Sequence, residues 1–227
     1  DDMIQFDKGN NHSYMNTPKS YRFNKWCVDI SNGIIPVTYD YYISYLFHPK
    51  RTKIIPLPIN SNKVKFYGIK NKKQIHIFHG LNRRGVKGTH YIEKAFEILH
   101  KKYPNKFKTS IKGNLPFDEY IKVLEDTDIF IDQTSSYSQG MSGLYSMAMG
   151  KVVLGGAEPE SSSKMYNSIN PAINIKPDPK QIVSTIENLV KDKQKLFEIS
   201  KCSRKFIEIE HDYIKISEKY IKNWNDH

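Results

Sequence analysis

Cysteine is scarce in this 227-residue chain, and the two present, Cys27 and Cys202, cannot build a disulfide scaffold or fill a four-ligand zinc site alone. No apolar run approaches the roughly 18 residues of a membrane span. The opening stretch, DDMIQFDKGNN, is polar and acidic, which reads as no signal peptide. Internal repeats and low-complexity tracts are also missing. Collagen, coiled coil, secreted mini-protein and integral helical membrane protein are thereby excluded. What is present suits a packed core: 38% hydrophobic residues and 12% aromatic, with 26% charged. At about 150 residues per domain, the length fits one large domain, or one domain plus a piece of another.

Acidic residues are too few to balance the basic ones. Lys and Arg number 35 against 24 Asp and Glu, a net charge of +11. Such a charge favours anionic partners: phosphorylated ligands, nucleic acid or an acidic membrane face. A nucleic-acid reader would show a compact basic block or a reader motif, and neither occurs, so no nucleic-acid partner is expected. The plainer reading is a solvated lysine-rich surface.

Residues 1–25 are polar and weakly periodic. Trp26–Val37 reads as a strand ending near Pro36, Thr38–Phe47 as a short helix and Lys53–Leu57 as a short strand holding a proline. Pro58–Phe66 resembles a linker. From residue 74 a regular alternation sets in. Gln74–Phe78 predicts a strand, and Thr89–Tyr103 a helix with Ile92, Ala95, Phe96 and Leu99 on one face, Thr89 as N-cap and Pro104 as stop. Strands follow at Phe107–Lys112, Ile129–Asp132, Val152–Leu154 and Ile173–Ile175. Helices follow at Pro116–Asp126, Met141–Met149, Lys180–Val190, Leu196–His211 and Tyr213–Trp224. Strand and helix alternating at this spacing mean βαβ units: an α/β fold with a Rossmann-like parallel sheet flanked by helices. Ligands of such sheets sit beyond the carboxyl ends of the strands.

Two of those loops carry chemistry. In His79–Gly88 (HGLNRRGVKG), Gly80, Gly85 and Gly88 permit tight turns, and Arg83, Arg84 and Lys87 bring cations to a helix N-terminus, an anion-favouring place. The spacing matches neither GxGxxG nor GxxxxGK[ST]. Phosphate binding and a basic loop with ordinary turn glycines both fit. In the loop after Ile129–Asp132, Gly140 opens a helix, and Ser142 and Gly143 keep its first turn small, for ligand approach or for close packing. Asp132 and Gln133 stand at the strand end, where Asp132 either accepts ligand hydroxyls or caps a neighbouring turn. His79 and His90 flank the first loop without a third residue spaced for metal, and no G-x-S-x-G, HExxH or paired-cysteine motif occurs.

The stretches FHGLNRRGVKGTHYIEKAFEIL, DIFIDQTSSYSQGMSGLYSMAMGKVVLGG and SRKFIEIEHDYIKISEKYIKNW, in this order, resemble the carboxy-terminal half of a GT-B glycosyltransferase of family 4, or group 1. The similarity covers about residues 74–224, and Ile34–Asn60 is similar to the last βα unit of the amino-terminal domain with the entry to its linker. The resemblance implies a remnant of the acceptor domain over residues 1–60, a donor-binding domain over 61–210 and a crossing helix over 211–227. It implies a hexosyltransferase-type enzyme that moves sugar from a nucleotide-sugar to a glycan or lipid-linked acceptor in cell-surface polysaccharide synthesis. It further implies a cytoplasmic place, peripheral contact with anionic membrane, and no cofactor or metal. The donor diphosphate would meet Gly80, Arg83, Arg84, Lys87, Gly140, Met141 and Ser142. Gly113, Asn114, Leu115 and Tyr145 would lie at base and ribose, and Asp132 and Gln133 near the sugar. The family's Glu–x7–Glu pair is replaced by Tyr137 and Tyr145, with Glu158 and Glu160 as nearby carboxylates. Tyrosine is no bidentate acceptor. That change brings in an alternative, a non-catalytic sugar-nucleotide or polyanion binding module.

Overall fold

A computed structural model describes residues 18–70, 73–82, 84–85 and 87–226. Five parallel strands form one sheet: β1 (Ile75–Leu81), β2 (Phe107–Gly113), β3 (Ile129–Ile131), β4 (Val152–Gly155) and β5 (Ile173–Asn174), in the order β2-β1-β3-β4-β5. All neighbours pair in parallel, with Ile77 opposite Thr109 on one side and opposite Ile129 on the other. The sheet and its flanking helices are the Rossmann-like α/β arrangement the sequence predicts.

The helices are α1 (Pro18–Ile30), α2 (Tyr39–Ser44), α3 (Thr89–Lys102), α4 (Phe117–Asp126), α5 (Met141–Ala148), α6 (Pro159–Met165), α7 (Pro179–Leu189), α8 (Lys193–Glu210) and α9 (Tyr213–Asn225). Aspartates cap three of them: the side chains of Asp178, Asp192 and Asp212 accept from the N–H groups of Lys180, Lys195 and Lys215.

Alternate strand residues feed two cores, as the period of two requires. Ile77, Ile129, Ile131, Val152 and Leu154 point to one side and pack with Ile92, Leu99, Ile182 and Ile186 of α3 and α7. Phe78, Phe130 and Val153 point to the other and meet Leu124, Leu144, Met147, Phe206 and Ile207 of α4, α5 and α8. The central strands β3 and β4 are short and apolar because both of their faces are covered, whereas the edge strand β2 carries Lys108 and Lys112.

Three local expectations are corrected. Trp26–Val37 is no strand, since α1 runs through Trp26 to Ile30. Phe23, Trp26, Cys27 and Ile30 recur at helical spacing, and Lys50 Nζ closes the helix end on the carbonyls of Val28, Asp29 and Ser31. Within Trp26–Val37 the described pairing is an isolated bridge from Ile34 to Arg51. Lys53–Leu57 is extended but joins no sheet, because Pro56 and Pro58 offer no N–H to a ladder. Thr89 is the first helical residue, not the cap. Gly88 takes the cap position at φ +64, where a Cβ would collide with the Thr134 hydroxyl.

The amino-terminal segment is tied to the sheet domain. Asp40 Oδ1 accepts from Ser136 Oγ and from the Tyr137 N–H, each at 2.9 Å. Arg204 on α8 donates to the carbonyls of Val64, Ala148 and Ser61 and so holds the connecting segment. Among the described residues, no helix is long and apolar enough to cross a membrane.

Candidate functional site

The strand order reverses direction between β1 and β3. From β1 the chain moves outward to β2, then returns across β1 to reach β3. At such a switch point the loops leaving two adjacent strands diverge, and a crevice opens beyond their carboxyl ends. The two loops are those singled out above, but the first is shorter than His79–Gly88, because His79, Gly80 and Leu81 pair within β1 and leave residues 82–88; the second is residues 132–140 after β3.

Lys87 and Asp132 join these loops. Lys87 Nζ donates to Asp132 Oδ1 at 2.9 Å, and both residues are buried, 5% and 1% exposed. The Thr134 N–H donates to the Lys87 carbonyl at 3.2 Å, so backbone and side chain bind the loops together. The other carboxylate oxygen, Asp132 Oδ2, accepts from the Gly140 N–H at 2.8 Å, at the start of α5. A Cβ on Gly143 would lie 2.8 Å from Asp132 Oδ2, so the small first turn of α5 exists to seat that carboxylate. The sequence left open whether small residues there admit a ligand or permit packing. In this structure they admit an anion belonging to the chain itself.

The other site residues spread around this centre. Arg84 is exposed and pairs with Glu93, at 2.5–2.6 Å. Arg83 lies outside the described residues. Gly80 is buried inside β1 against the rings of Phe130 and Tyr120, away from the loop surface. Met141 is exposed, and Ser142 accepts at its carbonyl from Ser146 Oγ. Gln133 Nε2 donates to the Ser138 carbonyl at 3.0 Å. Gly113 ends β2 so close to the Leu81 carbonyl that no side chain fits. Asn114 follows at φ 53, and Leu115 leads to Pro116, the cap of α4. Tyr145 packs edge-on against Phe117, ring centroids 5.9 Å apart. Beside them runs a groove of about 490 Å³ lined also by Lys65, Tyr67 and Lys122.

The Tyr137 ring meets Tyr39 of the amino-terminal segment at 5.5 Å. Glu158 is buried and paired with Lys176, so it does not stand free as a substitute carboxylate. Glu160 is exposed in the first turn of α6.

His79 is a clamp within the sheet. Its Nδ1 faces the Ile131 carbonyl at 2.8 Å and its Nε2 faces Thr89 Oγ1 at 3.0 Å. Burial pushes its pKa down to about 4, so it is neutral at pH 7. His90 stacks beside Tyr91. Among the described residues, no group of three His, Cys, Asp or Glu side chains is placed to hold a metal ion.

Sequence reasoning missed three features near the site. The Gln139 side chain is 2% exposed, and its Nε2 has no hydrogen-bond partner. Tyr120 is largely buried, and its hydroxyl likewise lacks a bonded partner; burial and the nearby Asp132 charge push its pKa up to about 12. Helix α6 carried a readable signal, Pro159 at its first position. Gln139 and Tyr120 carried none, because burial of a polar residue is decided by the partners that surround it.

No family model and no curated protein matches the sequence. Solved structures do match in shape. HepE from Anabaena, solved with UDP and glucose, superposes with a TM-score of 0.70 at 12% identity, over 95% of this chain and 69% of that one. The fold is that of the GT-B glycosyltransferases. A glycosyltransferase from Rickettsia africae ESF-5 matches with a TM-score of 0.67 at 14% identity, covering 93% and 68%. TarM matches with a TM-score of 0.66 at 18% identity, over 90% of this chain but 45% of its own. The chain thus spans about two thirds of two of these GT-B proteins and under half of the third.

Proposed function

We propose that this chain binds the nucleotide-sugar donor of a glycosyltransferase at the β1–β3 switch point. The observation that carries the reading is Lys87: a cation buried at the ligand end of a parallel sheet, facing the N-terminus of α5. A nucleoside diphosphate is the anion that such a pair of elements suits. In this reading Arg84 and Lys87, with Arg83, meet the diphosphate, and the N–H groups of Gly140, Met141 and Ser142 approach the same oxygens. Gly113, Asn114, Leu115 and Tyr145 lie along the base and ribose, and Gln133 near the sugar. Charge developing on the departing diphosphate is met by fixed cations and amides, and no cofactor is called for. The acceptor is a glycan or lipid-linked sugar, with transfer of hexosyl type in polysaccharide synthesis on the cytoplasmic side of the membrane. A net charge of +11 supports peripheral contact with anionic lipid, which salt would weaken.

Titration of the chain with UDP, GDP, ADP, CMP and dTDP, followed by amide NMR at two salt concentrations, tests the donor site. Selective shifts for one nucleotide at residues 84–88 and 140–143 are expected. A uniform response to all anions, lost in salt, would replace the reading with generic polyanion binding. A second reading rests on Tyr137 and Tyr145, which stand where the resembled family carries its two glutamates: a module that binds donor and does not transfer. Donor binding without product, with acceptors supplied, would favour it.

A further inference from the structure

Lys87 is not idle in this structure. Its charge is already met by a carboxylate, and that same carboxylate caps the Gly140 N–H. The two groups best placed to hold a donor phosphate are therefore both occupied by Asp132.

The arrangement is built rather than incidental. Asp132 is 1% exposed, and its carboxylate spans from Lys87 Nζ at 2.9 Å to the Gly140 N–H at 2.8 Å. Gly143 leaves room for Oδ2 where a Cβ would collide, and a Cβ on Gly155 would come within 3.3 Å of Asp132 Cβ. The surroundings thus offer a cation and a helix N-terminal amide, with one resident anion between them.

We propose that Asp132 is a resident anion in the diphosphate seat, and that it sets donor affinity by exchange. Resting on the donor reading above, the idea assigns Asp132 the role of a positioning residue in place of a sugar contact. Phosphate oxygens bind Lys87 Nζ and the Gly140 N–H only as the Asp132 carboxylate gives them up. The carboxylate keeps Lys87 folded inward and neutralised while the seat is empty. It also makes a monoanion a poor competitor, because one charge must replace an intramolecular charge already in place. A diphosphate, with two phosphoryl groups to place, displaces it.

Binding of inorganic pyrophosphate, measured by calorimetry in the intact chain at fixed ionic strength, tests the exchange. Asp132→Asn frees Lys87 and is expected to bind pyrophosphate about tenfold tighter or more, because the loss of one partner leaves a buried charge in need of another. Its melting temperature should rise with pyrophosphate more than the wild type's does, beyond a matched chloride control. Asp132→Asn combined with Lys87→Met should lose the gain. Unchanged or weaker pyrophosphate binding by a folded Asp132→Asn overturns the proposal. Should that variant fail to fold, the wild-type chain decides: saturating pyrophosphate must shift the Gly140 amide resonance, and a fixed Gly140 amide overturns it. Tighter pyrophosphate binding by Asp132→Asn, with no response to any nucleoside diphosphate, keeps the exchange and removes the donor reading instead.

Discussion

Two lysines are buried at opposite ends of the same sheet, and they are held in different ways. Lys151 precedes β4 at the amino ends of the strands, 0% exposed, and its Nζ donates to the carbonyls of Gly68 at 2.9 Å and Glu125 at 3.4 Å. Lys87 follows β1 at the carboxyl ends, and its Nζ donates to a carboxylate. Backbone carbonyls cannot leave without unfolding the segments that carry them. A side-chain carboxylate leaves by a rotamer change. The first lysine is therefore a fixed joint between the connecting segment, α4 and β4, whereas the second holds an exchangeable contact. Burial alone does not tell the two lysines apart; the chemistry of the partner does.

The comparison breaks most visibly at Lys151. Lys151→Ala removes a buried stem and orphans buried acceptors, and should cost about 4 kcal/mol in denaturant unfolding. Pyrophosphate should recover none of it. A smaller loss would show that water replaces the ammonium and that the joint is loose.

Per residue, acid supplies the next largest effect. His79 sits near the carboxyl end, and His211 at the junction of α8 and α9, with Nδ1 against the Leu57 carbonyl at 2.7 Å. Burial pushes both pKa values down to about 4 from the ordinary 6.5. The unfolded chain takes up protons near 6.5, and the folded chain resists until about 4. Stability therefore falls as pH drops through that window and levels off below it. Each histidine contributes on the order of 3 kcal/mol to the fall. Unfolding free energy measured from pH 7 to 4 checks this, and a flat profile would mean that the imidazoles are reached by solvent.

The part of the fold that surrounds these residues was legible in the sequence because both of its periods are clean. Ile77, Phe130 and Val153 sit in short apolar runs, and Ile92, Ala95, Phe96 and Leu99 recur at helical spacing. The amino-terminal segment was not. Trp26, Cys27 and Val28 form a short apolar run that suits a strand as well as a helix, and α1 leaves Tyr21, Phe23 and Trp26 exposed, so no buried face disciplines the pattern. At the site, each loop was readable from its glycines and cations. The contact between them was not, because Lys87 and Asp132 stand 45 residues apart and only the strand order brings them together. Gly143 could be read as small, but what it is small for required the carboxylate in place.

Lys87→Ala sharpens the comparison from the other side. It leaves the Asp132 carboxylate buried with the Gly140 N–H as its remaining partner, at a cost of about 3 kcal/mol. Unlike the loss at Lys151, this one should be recovered in part by a second substitution, Asp132→Asn, which removes the stranded charge. A double-mutant cycle with no coupling would place the two residues in separate roles.

The smallest effect on stability belongs to the neighbour of Lys87 in the same loop. The Arg84 side chain is 60% exposed and pairs with Glu93 across the start of α3. An ion pair so open to solvent contributes about 0–1 kcal/mol, since both side chains give up rotamer freedom to form it and salt screens it. Arg84→Ala should therefore unfold within about 0.5 kcal/mol of wild type. Its effect on nucleoside diphosphate binding should be larger, about tenfold for one charge-assisted bond. That split separates the two cations of the loop. In the donor-site reading, Lys87 acts on folding and binding together because its charge is buried with its partner, whereas Arg84 reaches the ligand from solvent and leaves the fold untouched. Equal losses in stability and affinity for Arg84→Ala would show that Glu93 holds the loop in shape, and that the open cation works by ordering the loop and not by meeting the diphosphate.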